Sequence, residues 1–314
     1  MSFSTDFKQE ILNNELKTKA ERLAFISAVI RQIGSIHISR NVINFEIESE
    51  SSELINKCVE VIKSLYDIEI AITFHPVENS SKFVKNYYQL TLPAVATKQI
   101  ATDTNLIEYI GDMAVGFSDG VGFEFNSSEE IKAYLLGIAV TSVSITIPVP
   151  SESDNRVYVG SYSLEMRFNN ESLTYDIMSY FAEFDIFLKK VKRGEEVYGL
   201  YIRDSEMISD FMAFFGGNNA VIEINNVMVS RSVRNEMNRA RNCVIANIDK
   251  SVEAGQKQYL AIKYIDDNIG LESLPEKLRE IAQIRLDNPD YSLDQIAEVA
   301  SGVISKSGIN HRFR

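Results

Sequence analysis

The sequence predicts an α+β protein in which a tandem αββαββ repeat precedes an all-α helix-turn-helix module. Three observations predict it. The order of helical and strand patterns in residues 18–93 recurs in residues 129–202. Two landmarks fix the alignment of the copies: Phe25 falls on Tyr134 at an offset of 109, and Tyr66-Asp67-Ile68 falls on Phe184-Asp185-Ile186 at an offset of 118. The tail from Ser292 to Arg314 then reads as a helix, a Gly-containing turn and a basic helix.

The first copy opens with a helix over Thr18–Ile33. Leu23, Ile26, Val29, Ile30 and Ile33 form its apolar face, and Thr18 with Glu21 forms a capping box. Strands are expected at Ser35–Ile38 and Val42–Ile47, where Ile43, Phe45 and Ile47 alternate with polar residues. A helix follows over Ser51–Leu65. Strands at Ile68–Phe74 and Tyr87–Leu92 flank a polar loop, and Pro93 ends the copy. In the second copy a helix runs over Glu129–Ser142, with strands near Ser144–Val149 and Val157–Phe168. A helix from Ser172 to about Glu183 and strands near Ile186–Val191 and Val197–Ile202 complete it. A further helix runs from Asp204 to Phe215, closed by Gly216-Gly217. The nine-residue difference in offset is absorbed around the Pro150–Arg156 loop. Two such copies form two sheets about a pseudo-two-fold axis, with the leading helices packed together. Ala28 and Gly137 fall at equivalent positions there, small enough for close approach. The expected divisions are 1–95 and 129–227 for the repeats, 96–128 for a connecting segment, 228–270 for a linker helix and 271–314 for the helix-turn-helix.

Composition narrows the function classes. Hydrophobic residues make up 45% of the 314, enough for a sizeable core. Apolar runs are too short for a membrane helix and the first residues are not those of a signal peptide, so the chain is expected in the cytoplasm. Cys58 and Cys243 fit a reducing compartment, and three histidines without a Cys-x-x-Cys argue against a zinc site. No cofactor is expected. The net charge of −12 is unevenly spread: residues 230–314 hold 13 Lys and Arg against 12 Asp and Glu, the rest 19 against 32. Arg231, Arg234, Arg239 and Arg241 form one basic cluster, and the tail forms the other.

In the tail, Ser292 and Gln295 form a capping box. Leu293, Ile296, Ala297 and Ala300 recur at helical spacing until Ser301-Gly302. A second helix begins near Ser305, with Ile304, Ile309 and Phe313 on its buried side. Its other face carries Lys306, Ser307, Asn310, His311, Arg312 and Arg314. Such a helix suits the major groove of double-stranded DNA. Ser307, Asn310, His311 and Arg314 are the candidates for base edges, because Asn matches adenine and Arg matches guanine. Lys306 and Arg312 are the candidates for phosphates. Arg231, Arg234 and Arg241, near one face of the linker helix, are further phosphate candidates. The bland alternatives are a helical hairpin with a solvated face, and a linker helix that answers the acidic front.

The duplicated αββαββ unit resembles the LAGLIDADG homing-endonuclease fold, whose central helices end in a metal-binding acidic residue. Here those positions are Ile33 and Ser142. Neither ligates Mg²⁺ as a carboxylate does, so the resemblance implies a non-catalytic domain with no metal and no catalytic residues. The whole chain is similar to the WhiA family, which joins a degenerate LAGLIDADG-like domain to a C-terminal helix-turn-helix. Arg234–Arg239, Asn242-Cys243 and Ala246-Asn247 carry the likeness, as do Ser305–Arg312 and the opening Met1–Ser4 with Lys19-Ala20-Glu21 and Gly34-Ser35. The resemblance implies a sequence-specific DNA-binding transcriptional regulator acting in cell division and chromosome segregation, with a possible protein partner on its first domain. The chain departs from the family in Thr141-Ser142-Val143-Ser144 and in a recognition helix that stops at Arg314. The alternative is a protein-interaction scaffold that has lost DNA binding. The sheet saddle is expected to present Glu46, Glu48 and Glu69 in one copy and Lys189, Lys190, Lys192 and Arg193 in the other. Asp119-Gly120-Val121-Gly122 lacks the third glycine of a nucleotide loop.

Overall fold

The computed structural model describes residues 2–39, 42–78, 84–110, 113–151, 157–300 and 304–314. The chain divides into two compact units, Met1–Ser230 and Arg231–Arg314.

The first unit begins with helix α1 (Phe3–Leu12), which buries Phe7, Ile11 and Leu12. Helix α2 (Lys19–Ile33) follows, then strands β1 (Gly34–Ser39) and β2 (Val42–Ser49). Helix α3 (Ser52–Tyr66) leads to β3 (Ile72–Glu78) and β4 (Val84–Thr91). Helix α4 (Ala94–Thr104) and the hairpin β5 (Ile107–Ile110) with β6 (Met113–Phe117) come next. The second copy comprises α5 (Ser128–Ser142), β7 (Ser144–Thr146), the small hairpin β8 (Val149–Pro150) with β9 (Tyr158–Val159), and β10 (Ser163–Phe168). It continues with α6 (Glu171–Ala182), β11 (Lys189–Lys192), β12 (Tyr198–Ile202) and α7 (Ser205–Phe214). Helix α8 (Asn218–Ile269) then runs out of this unit into the second.

The duplication is visible in the topology. The first sheet has the order β1-β2-β4-β3 and the second β7-β10-β12-β11, all antiparallel, so equivalent strands take equivalent places. It is also visible in single side chains. Thr18 caps α2 by accepting from the Glu21 N–H, and Ser127 caps α5 by accepting from the Glu130 N–H. The Glu21 carboxylate accepts from the Lys17 N–H at 2.8 Å, and that of Glu130 accepts from the Asn126 N–H at 2.8 Å. All three pairs of positions keep the offset of 109. Asp67 and Asp185, paired at the offset of 118, both take left-handed backbone with φ of 51° and 59°. Asp tolerates this conformation because its short side chain can bond locally.

The two sheets share one core with the α2–α5 pair. Ala24, Phe25, Ala28 and Val29 of α2 and Tyr134, Leu135, Ile138 and Ala139 of α5 are all buried. At the crossing, a Cβ built on Gly137 lies 2.7 Å from the Ala28 Cβ and 2.7 Å from the Phe25 carbonyl oxygen. Only glycine lets the two backbones approach this closely.

Several boundaries differ from expectation. The strand expected from Ile68 starts at Ile72. Ile68 and Ile70 instead pack against the core as chain that follows the left-handed turn at Asp67. The strand expected from Ile186 likewise starts at Lys189, with Ile186 and Leu188 buried outside the ladder. The long strands expected around 144–168 are split, and β8 and β9 form a separate hairpin. The segment 96–128 holds α4 and the β5–β6 hairpin. Pro93 precedes α4, and Ala96, Ile100 and Ala101 are its buried face. Helix α8 begins at Asn218, inside the stretch assigned to the second repeat.

Candidate nucleic-acid interface

The second unit is helical. After α8 come a 3-10 turn (Leu271–Ser273), α9 (Glu276–Asp287), α10 (Leu293–Val299) and α11 (Lys306–Arg312). Ser292 forms the full capping box of α10: its hydroxyl accepts from the Gln295 N–H, and the Gln295 side chain accepts from the Ser292 N–H at 2.8 Å. Ser305 caps α11, accepting from the Gly308 N–H at 3.2 Å. The expected Ser301-Gly302 turn lies outside the described residues.

Ile281, Ile296, Ala300 and Ile309 form one buried cluster, with Ile304 and Phe313 packed against it. Ile262, Leu271 and Ala282 form another, and Phe313 packs against that as well. Between them lies Arg285, which is only 1% exposed. Its guanidinium donates to the carbonyls of Pro289 and Tyr291 and, at 3.0 Å, to Gln258 of α8. It also lies 5.4 Å from the centre of the Phe313 ring. This arginine fixes the α9–α10 connection and the far end of α11 together. Sequence reading missed it, because an arginine in an amphipathic helix looks like a solvated one.

Burying Ile309 turns the opposite side of α11 outward. Lys306, Ser307, Asn310, His311 and Arg314 are exposed, and Arg312 is half-buried. The five exposed candidates thus share one surface. Lys306 is engaged: its Nζ lies 2.6 Å from Asp294 Oδ2 of α10. On α8, Arg231 and Arg234 are half-buried and Arg241 is exposed.

In the first unit the ends of α2 and α5 meet beside the outer faces of the sheets. Ile33 is half-buried, and the Ser142 hydroxyl donates to the Ile138 carbonyl at 2.7 Å. Gln32, Ser142, Ser144, Glu165 and Arg167 surround a hollow of about 460 Å³ there. Glu165 bonds Arg193 at 3.0 Å and Arg167 at 3.3 Å. Partial burial acts to raise its carboxyl, but these hydrogen bonds outweigh that and hold it below the usual carboxylate range. In the other sheet Glu46 meets His37 at 2.7 Å and accepts from the Thr91 hydroxyl at 3.0 Å. Three expected saddle residues are placed elsewhere. Lys190 and Lys192 pair in register with Leu200 and Tyr198, on the side of the sheet that faces the helices, whereas Lys189 pairs with Tyr201 on the outer side. Lys190 accordingly reaches Glu171 of α6 at 2.5 Å and lies over the Tyr175 ring. Glu69 precedes β3 and is not in the sheet. The Asp119–Gly122 segment is a structural turn. Gly120 and Gly122 have φ of 61° and 70°, and Asp176 of α6 accepts from the Val121 N–H at 2.8 Å. Among the described residues no group of three or more His, Cys, Asp or Glu is placed to hold a metal ion. No described helix is long and apolar enough to cross a membrane.

Comparison with known proteins places this architecture. Residues 19–107 match the profile of the WhiA N-terminal LAGLIDADG-like domain, residues 131–234 that of the WhiA LAGLIDADG-like domain, and residues 237–314 that of the WhiA C-terminal HTH domain. A probable cell division protein WhiA of Staphylococcus carnosus is 31% identical over 317 residues, covering 100% of this chain and 95% of the relative. One of Bacillus velezensis is 32% identical over 326 residues, covering 100% and 94%. The crystal structure of full-length WhiA from Thermatoga maritima is similar with a TM-score of 0.58 at 19% identity, covering 100% of this chain and 95% of that one. A repeated LAGLIDADG-like domain followed by a helix-turn-helix, matched end to end, identifies the chain as belonging to the WhiA family of cell division proteins.

Proposed function

We propose that the chain is a sequence-specific DNA-binding regulator of transcription that acts in cell division and chromosome segregation at the nucleoid. Its repeat domain is a non-catalytic scaffold that also offers a surface to a protein partner. The observation that carries this reading is α11, anchored by buried Ile309 and presenting Ser307, Asn310, His311 and Arg314 side by side to solvent. In the major groove these four contact base edges, while Lys306, Arg312, Arg231, Arg234 and Arg241 neutralise phosphates. Lys306 exchanges Asp294 for a phosphate when DNA binds. The ends of α2 and α5 carry Ile33 and Ser142, which supply no carboxylate to a metal, so the repeat domain cuts nothing.

The test is a salt titration of binding to genomic DNA fragments by the full chain, by Asn310→Ala and by Arg312→Ala. The full chain binds with an affinity that falls as salt rises. Asn310→Ala loses discrimination between sites, by about 1–3 kcal/mol at the contacted base pair. Arg312→Ala weakens binding to all sequences and flattens the salt slope by about one. Failure of the full chain to bind at physiological salt rejects this reading. The alternative, a protein scaffold without DNA binding, is favoured by the acid excess of the first 229 residues, 32 Asp and Glu against 19 Lys and Arg.

A further inference from the structure

Helix α1 brings a lysine into a cavity where neither wall carboxylate pairs with it. Lys8 lines a cavity of about 490 Å³ bounded by α1, α2, α3 and α5. Among the described residues it is the one cation in that lining, and no hydrogen bond or ion pair reaches it. Burial alone lowers its ammonium to about 8, and no neighbouring charge restores it. A partly buried ammonium without a paired anion is destabilising to the fold, unless the anion arrives as a ligand.

The wall carboxylates do not fill that role. Glu50 accepts from the Tyr87 hydroxyl at 2.9 Å. Glu53 accepts from the Ser51 hydroxyl at 3.0 Å and from the Gln9 amide at 3.4 Å. These are the titratable groups that face Lys8, from the end of β2 and from α3; α2 and α5 present only Ile33, Val140 and Thr141. Hydrogen bonds from its own backbone N–H and from Ser51 hold the Glu53 carboxyl below its usual range, so it does not titrate near neutral pH. Thr5, Gln9, Ser49, Ser51 and Thr141 add neutral polar groups, and Leu12, Ile33, Leu54 and Val140, from four different helices, form the aliphatic part of the wall. With Glu50 and Glu53 engaged elsewhere, one unpaired cation beside this aliphatic patch, in a cavity of ligand size, fits an amphipathic anion.

We infer that this cavity binds a small organic carboxylate, its acid group on the Lys8 ammonium and its apolar body against Leu12, Leu54 and Val140. The site is independent of the DNA-binding reading. It reaches both central helices at their closing ends, through Ile33 of α2 and Val140 of α5, so an occupant stiffens the seam between the repeats.

The probes are hexanoate, octanoate and benzoate, with hexanol as the uncharged match, added to the full chain. Binding is followed by calorimetry and by NMR of the Lys8 side-chain carbon next to the nitrogen. At least one carboxylate is expected to bind at pH 6.5 and to raise the Lys8 titration midpoint. Its affinity should fall by up to about 30-fold at pH 9.5, where the free ammonium has given up its proton. Hexanol should bind more weakly and with no pH dependence. Lys8→Met should abolish carboxylate binding, and Val140→Phe, which fills the apolar wall, should do the same with Lys8 intact. Binding of none of the three carboxylates overturns the inference, as does equal binding by Lys8→Met or an unchanged Lys8 midpoint at saturation.

Discussion

Replacing Gly137 by alanine puts the helix pair at the centre of the repeat domain under a defined strain. In an isolated helix this change stabilises by about 1 kcal/mol, because glycine is the poorer helix former. Here the added Cβ lies 2.7 Å from the Ala28 Cβ and 2.7 Å from the Phe25 carbonyl oxygen. One of those atoms is backbone within a buried helix, so no rotamer change relieves it. Overpacking of this kind costs about 1–3 kcal/mol, and a double contact at such a distance belongs at the upper end. The difference is a net loss of about 1–2 kcal/mol for Gly137→Ala. For a unit of this size that lowers the melting temperature by about 2–8 °C. Urea unfolding followed by circular dichroism reads it directly. Adding Ala28→Gly removes the contact between the two Cβ atoms but leaves the carbonyl contact, so a double-mutant cycle should show a coupling of at least about 0.5 kcal/mol. A Gly137→Ala protein more stable than the parent would refute the close-approach argument.

Arg285→Met should destabilise the second unit by about 3 kcal/mol, since it strands the Pro289 and Tyr291 carbonyls and the Gln258 amide; calorimetry should show an earlier transition for that unit alone, and an unshifted one would contradict the role given to this side chain. Ser292→Ala removes the hydroxyl that accepts from the Gln295 N–H, keeps the reciprocal backbone bond, and should cost about 1 kcal/mol, read as faster amide exchange in α10. A thiol reagent at pH 8 should label Cys243, which is exposed, and spare Cys58, whose thiol burial pushes up to about 12. Two labels on the native chain would show that the first sheet and its helices open readily. Asp294→Asn frees Lys306 and should strengthen DNA binding by a few tenths of a kcal/mol, the usual worth of an exposed pair; weaker binding would mean that Asp294 orients Lys306 rather than competes with phosphate.

The repeat was legible because its signals are local and occur twice. The helix cap at Thr18, the alternation in β2 and the matching Tyr66-Asp67-Ile68 and Phe184-Asp185-Ile186 landmarks each announce themselves within a few residues. The place of Lys190 and Lys192 was not legible. A run of charged residues hides which of them faces out, and only the register with Leu200 and Tyr198 decides it. Helix α4 was hidden because Ile100 is the one large apolar residue on its buried face, the others being Ala96, Thr97, Ala101 and Thr104, which carry little hydrophobic signal. In the tail, Ile309 and the Ser305 cap fixed the outward face of α11 from sequence, while the pairing of Lys306 with Asp294 twelve residues earlier needed the fold. Arg285 shows the limit most clearly, since its burial depends on carbonyls and a ring supplied by later residues.

Phe313 belongs to two clusters at once, and Arg285 lies over its ring while holding Gln258 of α8. The orientation of α11 is therefore tied to α8 as well as to its own cluster around Ile309. One guanidinium thus ties α8, α9 and the end of α11 at a single point.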